Sequence, residues 1–206
     1  MVSDMSYTGI YAFGANINAY NSIFASCSNA LVTLYKGGEY NFHHSTFANF
    51  NRHGSSSKAS LILSNYGIIP HYYDPINNTF REVWFGGDLI AANFYNSIFY
   101  GNNKSEIVLS DNERRPFEYY FENSLLKIEV DSFETDDNEF FNNCYYNEEP
   151  GFVNIDSLYF MPDTNAFIID KANAERNAGI QQLENDYYGT SRLSNEMPDI
   201  GAIERY

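Results

Sequence analysis

The chain has 206 residues, a formal net charge of −15 and only two cysteines. This negative charge argues against nucleic acid and anionic lipid surfaces as partners, and no apolar run is long enough for a transmembrane helix. About one residue in eight is asparagine, and 17 phenylalanines and 18 tyrosines accompany it. Such a mixture is poor in helix formers and rich in strand and turn formers. A single domain spanning residues 1–206 is expected.

A short motif, clearest within residues 88–102, recurs along the chain. An apolar or aromatic residue is followed two positions later by Asn or His, then by a small residue, and then by another large residue. We name the five Asn or His positions the corner residues: Asn21, His44, Asn96, Asn123 and Asn143. Their spacings are 23, 52, 27 and 20 residues. Asparagine tolerates the left-handed backbone of a corner, so a structural role is favoured over a ligand site, with amides bonding to their equivalents above and below.

A third strand separates successive motifs. Residues 31–35, 60–64 and 106–110 align as this strand and share two apolar columns. Three short strands in each repeat predict an all-β fold, specifically a right-handed parallel β-helix of about five coils over about residues 5–150. Residues 1–15 could add a strand but no convincing lid, and they lack the features of a signal peptide. Because no lid precedes the first coil, we expect this chain to be the C-terminal part of a longer protein or to sit against another domain.

The 52-residue spacing contains an insertion at residues 65–87. Its length and its Pro and Gly content predict a long ordered loop, and long loops on rigid scaffolds often carry function. Flat aromatic rings beside polar groups suit the stacking of sugars. The candidate ligand-binding residues are therefore His71, Tyr72, Tyr73, Trp84 and Asp88. The alternative, which we favour slightly, is that these aromatic residues pack the loop onto the coils.

The repeat stops near residue 150, and residues 151–206 are predicted to form an irregular C-terminal cap over the apolar end of the coils. A helical patch is expected around residues 172–183. Arg192 is expected to form a structural ion pair that fixes this region. Its possible carboxylate partners are Asp170, Asp186, Asp199 and Glu204.

Four short motifs in this region carry a family resemblance. They are residues 149–152 (EPGF), 168–170 (IID), 186–192 (DYYGTSR) and 198–204 (PDIGAIE). Together with the Asn-Ser/Cys-x-Phe repeats, they resemble the bacterial pectin-lyase-like β-helix proteins of the choice-of-anchor Q domain type, over roughly residues 16–206. Two positions depart from that pattern, because Glu149 stands in place of Asp, and Ala166-Phe167 replaces Ser-Pro. The resemblance implies a secreted or surface-anchored bacterial protein and supplies no established activity.

No constellation for catalysis or metal binding is evident in the repeats. The outward columns of the third strand, Thr33/Ile62/Val108 and Tyr35/Ser64/Ser110, contain no carboxylate or cation, whereas acid–base catalysis needs such groups to converge. His43 and His44 lie on opposite faces of a strand and cannot chelate one ion together. The acidic run at residues 136–139 could hold Ca²⁺, although a solvated loop is favoured. We expect no cofactor.

The two cysteines fall about four coils apart, too far for a disulfide. We predict free thiols at Cys27 and Cys144, with Cys144 buried.

These observations favour a non-catalytic cell-surface or secreted module that binds glycans or polysaccharide or serves in adhesion. The first alternative is a polysaccharide lyase or glycoside hydrolase whose active site lies in coils outside this chain. The second is a purely structural domain.

Overall fold

The structure is a computed structural model that describes residues 1–50, 58–137, 139–192 and 197–205, with the backbone alone for residues 69–71. Its described residues form an all-β fold of mostly parallel, curled sheets, as the sequence predicts. Among these residues, no helix is long and apolar enough to cross a membrane.

The strands, in chain order, are β1 (Val2–Ser3), β2 (Ile10–Tyr20), β3 (Ile23–Ala25), β4 (Val32–His43), β5 (Thr46–Asn49), β6 (Leu61–Ser64), β7 (Tyr66–Asp74), β8 (Thr79–Gly86), β9 (Leu89–Tyr95), β10 (Ile98–Gly101), β11 (Ile107–Ser110), β12 (Tyr120–Glu122), β13 (Leu125–Leu126), β14 (Phe141–Asn142), β15 (Tyr145–Tyr146), β16 (Phe152–Asn154) and β17 (Tyr159–Pro162). Sheet A has the order β1-β3-β5-β10-β13-β15. Sheet B has the order β11-β6-β4-β9-β12-β14, and β2 also pairs with β4. Each repeat therefore adds one strand to sheet A, whereas it adds either one or two strands to sheet B.

The strand register places the predicted apolar columns side by side. Phe42 pairs with Phe94, Phe94 with Phe121, and Phe121 with Phe141. The centroids of these stacked rings are 5.4, 4.7 and 5.4 Å apart. A second stack joins Phe24, Phe47 and Phe99 at 5.0 and 4.2 Å. These rings meet edge to face across the core, and their burial supplies much of its apolar stabilisation.

The first repeats differ from the prediction of separate short strands. Both β2 and β4 run unbroken through the expected third strand and into the strand before the corner. The change of direction is absorbed within β4 by Lys36, Gly37 and Gly38, which all have positive φ, and by a register shift after Gly38. A Cβ atom at Gly37 would lie 2.3 Å from the carbonyl oxygen of Asp88, so only glycine lets these two repeats approach.

The corner residues have the left-handed backbone that the sequence predicts. The φ angles of Asn21, His44, Asn96, Asn123 and Asn143 lie between 45° and 52°. Their side chains, however, do not form the continuous amide ladder expected for them. That ladder forms on the outer face of sheet B, where Asn41 donates to Asn18 at 3.1 Å and Asn93 donates to Asn41 at 2.9 Å.

The side chains of Asn21, His44, Asn96 and Asn123 instead hold the C-terminal region, which we name the lateral segment (residues 166–192 and 197–205). The ring nitrogens of His44 lie 3.3 Å from the Gly201 carbonyl oxygen and 2.9 Å from Asn177 Oδ1. Asn21 donates to the carbonyl oxygens of Gln182 and Asn185, and Asn123 donates to that of Lys171. Asn96 donates to the Asn173 carbonyl and accepts from its amide at 2.8 Å. The lateral segment thus runs back along the corners, from the last repeats to the first.

The prediction that this region caps the end of the coils is wrong. Ile168, Ala172 and Ile200 pack against Ile98 and Leu125 of sheet A, so the lateral segment covers the outer face of that sheet. The end of the core is covered instead by a 3-10 turn, Val130–Ser132, and by Phe133, whose ring meets Phe141 edge to face at 6.1 Å. The outward apolar residues of sheet A need a cover of their own, which the lateral segment provides.

The lateral segment itself is fixed by buried charges. Arg192 and Glu204 are both fully buried, and their side chains pair at 2.6 Å, which confirms the ion pair predicted for Arg192. Asp199 is also fully buried and accepts from the backbone amides of Asp170 and Arg205. The expected helical patch is two 3-10 helices, Ala174–Asn177 and Gln181–Leu183.

Both thiols are free, as predicted, and Cys27 is buried. The expectation that Cys144 is buried is wrong, since it is only partly buried. Burial still raises the pKa of its thiol to about 12. The deprotonated, reactive form is therefore disfavoured at neutral pH.

Candidate functional site

The insertion at residues 65–87 is a β-hairpin and not the loop that the sequence predicts. Its strands β7 and β8 pair antiparallel, with Tyr66 beside Gly86 and Asp74 beside Thr79. Each half of the insertion contains a pair of residues typical of strands, Ile68-Ile69 and Val83-Trp84. Pro70 and three glycines obscure this strand signal in the sequence.

Asn65 anchors the base of the hairpin to the next repeat. Its side chain is fully buried, donates to Asp111 and to the Arg115 carbonyl oxygen, and accepts from the Asn112 amide at 3.1 Å. Tyr66 adds a hydrogen bond between its hydroxyl group and Ser110 at 3.0 Å. The hairpin therefore projects from a base that is tied to β11 and to the turn after it.

An open groove of about 760 Å³ lies between the hairpin and the outer face of sheet B. We name it the aromatic groove. Its lining includes Tyr11, Phe13, Tyr35, Ile62, Phe85 and Val108, with Ser64 and Ser110 among its polar members. Tyr11 and Phe13 are exposed at 48% and 46%. Large rings this exposed and this close together indicate a binding surface.

The rings of this groove hold one another in place. Tyr11 meets Tyr35 edge to face at 5.6 Å, and Phe13 lies 6.0 Å from Tyr35 and 5.9 Å from Phe85. Phe85 crosses directly over Gly67, where a Cβ atom would lie 2.4 Å from the ring. Gly67 thus allows the hairpin to turn Phe85 towards the sheet.

The tyrosines of the groove keep their hydroxyl protons. Burial, followed by the nearby Tyr35 and Tyr7, raises the pKa of Tyr11, and burial likewise raises that of Tyr35. Both hydroxyls are therefore neutral hydrogen-bond donors and acceptors at physiological pH. A surface of apolar rings edged by neutral hydroxyls matches a ligand with both C–H faces and hydroxyl groups.

A second groove of about 860 Å³ lies beside the hairpin, and we name it the Trp84 groove. Trp84 is 57% exposed and stacks on Tyr66 with ring centroids 5.4 Å apart. Asp88 and Arg115 pair there at 2.9 Å with both side chains about half exposed. Tyr66 and Phe85 line both grooves, so the hairpin base separates the two grooves.

The predicted ligand-binding residues are only partly brought together. Trp84 and Asp88 line the Trp84 groove. Tyr72 and Tyr73 lie further along the hairpin as exposed side chains, where Tyr73 contacts Phe80 and Tyr72 lies beneath Arg81. His71 is in strand β7, and its side chain lies outside the described residues. The favoured alternative, in which the aromatics pack down, describes Phe85 but not Trp84, Tyr72 or Tyr73.

Sequence reasoning missed Tyr11 and Phe13. They lie in the first strand of sheet B, where Tyr11 pairs with Thr33 and Phe13 pairs with Tyr35. Aligning the sequence IYAF at residues 10–13 with VTLY at residues 32–35 would have placed both rings in the outward columns. The signal is therefore present in the sequence, although the third strands aligned above are residues 31–35, 60–64 and 106–110 only.

The aromatic groove offers little for acid–base chemistry. Among its described lining residues, the ionisable side chains are Lys58 and tyrosines, with no carboxylate or histidine. His43 lies elsewhere on sheet B between the rings of Tyr20 and Tyr95, and burial lowers its pKa to about 4. His44 is a fully buried corner residue.

The acidic run proposed for Ca²⁺ lies beside the turn at the end of the core. Asp137 accepts there from the backbone amide of Glu139 at 2.8 Å, and Asn138 lies outside the described residues. In the described part of the chain, no group of three or more His, Cys, Asp or Glu side chains is arranged to hold a metal ion.

Comparison with known proteins finds no matching family model, no matching curated protein and no matching solved structure.

Proposed function

We propose that this protein is a non-catalytic carbohydrate-binding module and that the aromatic groove is its binding site. One observation carries the proposal: four aromatic rings, Tyr11, Phe13, Tyr35 and Phe85, surround an open groove that also presents neutral hydroxyl groups. The C–H faces of a sugar stack on such rings while its hydroxyl groups bond to the groove edge. The net charge of −15 favours neutral over acidic sugars.

The repeats support a finer architecture, a right-handed parallel β-helix of about five coils. Consecutive repeats pair in parallel at equivalent columns, and every corner residue has the same left-handed conformation. The corner pattern and the motifs of the lateral segment support membership of the choice-of-anchor Q type. From that resemblance we propose that the protein is secreted or displayed on the surface of a bacterium.

The test is binding of the purified chain to an array of neutral and acidic oligosaccharides, followed by calorimetry with any sugar that binds. Phe13→Ala should weaken binding by about tenfold, because a ring contact contributes about 0.5–1.5 kcal/mol beyond the area that it buries. Trp84→Ala should leave affinity within about twofold, since Trp84 lines the other groove.

Tyr188→Ala is the matched control, because Tyr188 is 54% exposed and lines neither groove. Failure of the unmodified protein to bind any sugar on the array would overturn the proposal. A large loss of affinity with Trp84→Ala and none with Phe13→Ala would move the site to the Trp84 groove.

A further inference from the structure

The floor of the aromatic groove contains a column of side chains that crosses four strands of sheet B. Tyr11 of β2 pairs with Thr33 of β4. Thr33 in turn pairs with Ile62 of β6, and Ile62 pairs with Val108 of β11. Neighbouring strands lie about 4.8 Å apart, so this column is about 14 Å long. The groove therefore runs across the strands and is longer than a single sugar ring.

A second column runs beside the first and is more polar. It contains Tyr35 of β4, Ser64 of β6 and Ser110 of β11, and Ser64 pairs with Ser110. The hairpin begins two residues after Ser64, so this column lies on the hairpin side of the groove. Ser110 donates its hydroxyl proton to the Tyr66 hydroxyl oxygen at 3.0 Å, which leaves the Tyr66 proton for a ligand. The groove thus has an apolar strip beside a hydroxyl strip.

The two ends of the groove differ in the size of their apolar side chains. Tyr11, Phe13 and Tyr35 lie together at the end formed by β2 and β4, with ring centroids 5.0 to 6.0 Å apart. The end formed by β6 and β11 presents the smaller Ile62 and Val108, and Val108 is 43% exposed. A short ligand that stacks on the aromatic end therefore leaves Val108 uncovered, whereas a longer ligand reaches it.

The shape of a carbohydrate chain depends on how its rings are joined. Equatorial bonds, as in β-1,4-linked glucose, give a straight ribbon whose rings advance by nearly the same step as one strand spacing. The C–H groups lie on the faces of this ribbon and the hydroxyl groups lie along its edges, which matches an apolar strip beside a hydroxyl strip. The axial bonds of α-1,4-linked glucose make the chain coil, so its successive rings leave a straight column.

We propose that the aromatic groove binds a linear β-1,4-linked glucan, whose chain runs across β2, β4, β6 and β11 with about three rings in contact. This inference rests on the proposed carbohydrate binding and names its ligand. Glucose suits the apolar strip because its hydroxyl groups are equatorial, which leaves both faces of each ring as C–H surfaces. A glucan is also uncharged, so the net charge of −15 does not repel it.

The test is calorimetry of the purified chain with cellotetraose, cellobiose and maltotetraose. All three sugars contain only glucose, and cellotetraose differs from the others in length alone or in linkage alone. Cellotetraose should bind about tenfold more tightly than cellobiose, because a disaccharide covers only part of the column. It should also bind about tenfold more tightly than maltotetraose, whose coiled chain places fewer rings on the column.

Variants at the two ends of the column test the direction of the bound chain. Tyr11→Ala should weaken the binding of cellobiose and cellotetraose alike, by about tenfold. Val108→Ser should weaken the binding of cellotetraose by about threefold and leave that of cellobiose unchanged, because cellobiose occupies the aromatic end. Tyr188→Ala is again the control and should change neither affinity, and thermal unfolding checks that each variant is folded.

Equal affinities for cellotetraose and maltotetraose, or for cellotetraose and cellobiose, would overturn the inference of a linear glucan and leave carbohydrate binding intact. The same loss of affinity for both β-linked sugars in Val108→Ser would overturn the direction of the chain. Binding of another sugar on the array without binding of any of these three glucans would overturn this inference alone. Failure to bind any sugar on the array would overturn the proposed function as well.

Discussion

The phenylalanines of the core and the aromatic residues of the groove are the same kind of side chain in two environments. Phe94 is fully buried and stacks on Phe42 and Phe121, whereas Phe13 is 46% exposed beside Tyr35 and Phe85. Both groups form columns along neighbouring strands. Their difference teaches that the column alone does not determine whether an aromatic residue stabilises the fold or offers a surface to a ligand. The face of the sheet on which the ring lies, inner or outer, determines which of these two roles it has.

The sharpest test of this comparison removes one ring from each group. Phe94→Ala should lower the free energy of unfolding by about 3–5 kcal/mol, because it leaves a cavity between two stacked rings. Phe13→Ala should change it by about 0.5 kcal/mol or less, as for most exposed positions. Urea unfolding followed by circular dichroism measures both values. Equal losses of stability for the two variants would show that the groove belongs to the core.

The inner column could be predicted from the sequence because its offset from the corner residue is constant. Phe42, Phe94, Phe121 and Phe141 each stand two residues before a corner residue, and alternation along a strand then fixes their face. The corner conformation was predictable for a similar reason, since asparagine recurs where the backbone must turn.

The partners of the corner side chains were not predictable from such local patterns. Asn21 binds backbone groups more than 160 residues away, and nothing near Asn21 in the sequence encodes that contact. The lateral segment lacks any repeat, so its path along sheet A depends on the outward apolar residues of that sheet, such as Ile98 and Leu125. The same limit applies to the aromatic groove, which combines residues of the first strands with a hairpin far along the chain.

The same comparison of buried and exposed side chains applies to two ion pairs. Arg192 and Glu204 are fully buried, whereas Arg115 and Asp88 are about half exposed. Arg192→Met should cost about 3 kcal/mol of unfolding free energy, because it leaves Glu204 buried without its cation. Arg115→Met should cost about 1 kcal/mol or less. Thermal and urea unfolding measure both changes.

Restoring charge balance provides the control for the buried pair. Arg192→Met/Glu204→Gln should recover part of the lost stability, because the carboxylate that lost its partner is then neutral. If the double variant is as unstable as the sum of its single variants, the pair is not the unit that fixes the lateral segment.

A third comparison concerns the protonation of the corner residue His44 in the folded protein and in the unfolded chain. His44 is fully buried, and burial followed by the charge of Arg192 lowers its pKa well below 6.5. Its Nδ1 lies 3.3 Å from the Gly201 carbonyl oxygen, and its Nε2 lies 2.9 Å from Asn177 Oδ1 and 3.0 Å from Asn96 Nδ2. In the unfolded chain the same ring takes up a proton near pH 6.5.

The contribution of His44 to stability should therefore be present above pH 6.5 and decline as the pH falls, by about 1.4 kcal/mol for each unit. Glu204 acts in the opposite direction, because burial raises its pKa from 4.5 to about 7 and the folded state takes up its proton first. The pH dependence of the unmodified protein thus contains both effects, and a substitution is needed to separate them.

His44→Asn keeps the residue type found at the other four corners and removes the titrating ring. Relative to the unmodified protein, its free energy of unfolding should improve by about 2 kcal/mol between about pH 7.5 and pH 5. Urea unfolding at each pH measures this difference, from which Glu204 cancels because both chains contain it. A difference that stays constant with pH would contradict a neutral, buried His44 and would place the acid sensitivity of the lateral segment elsewhere.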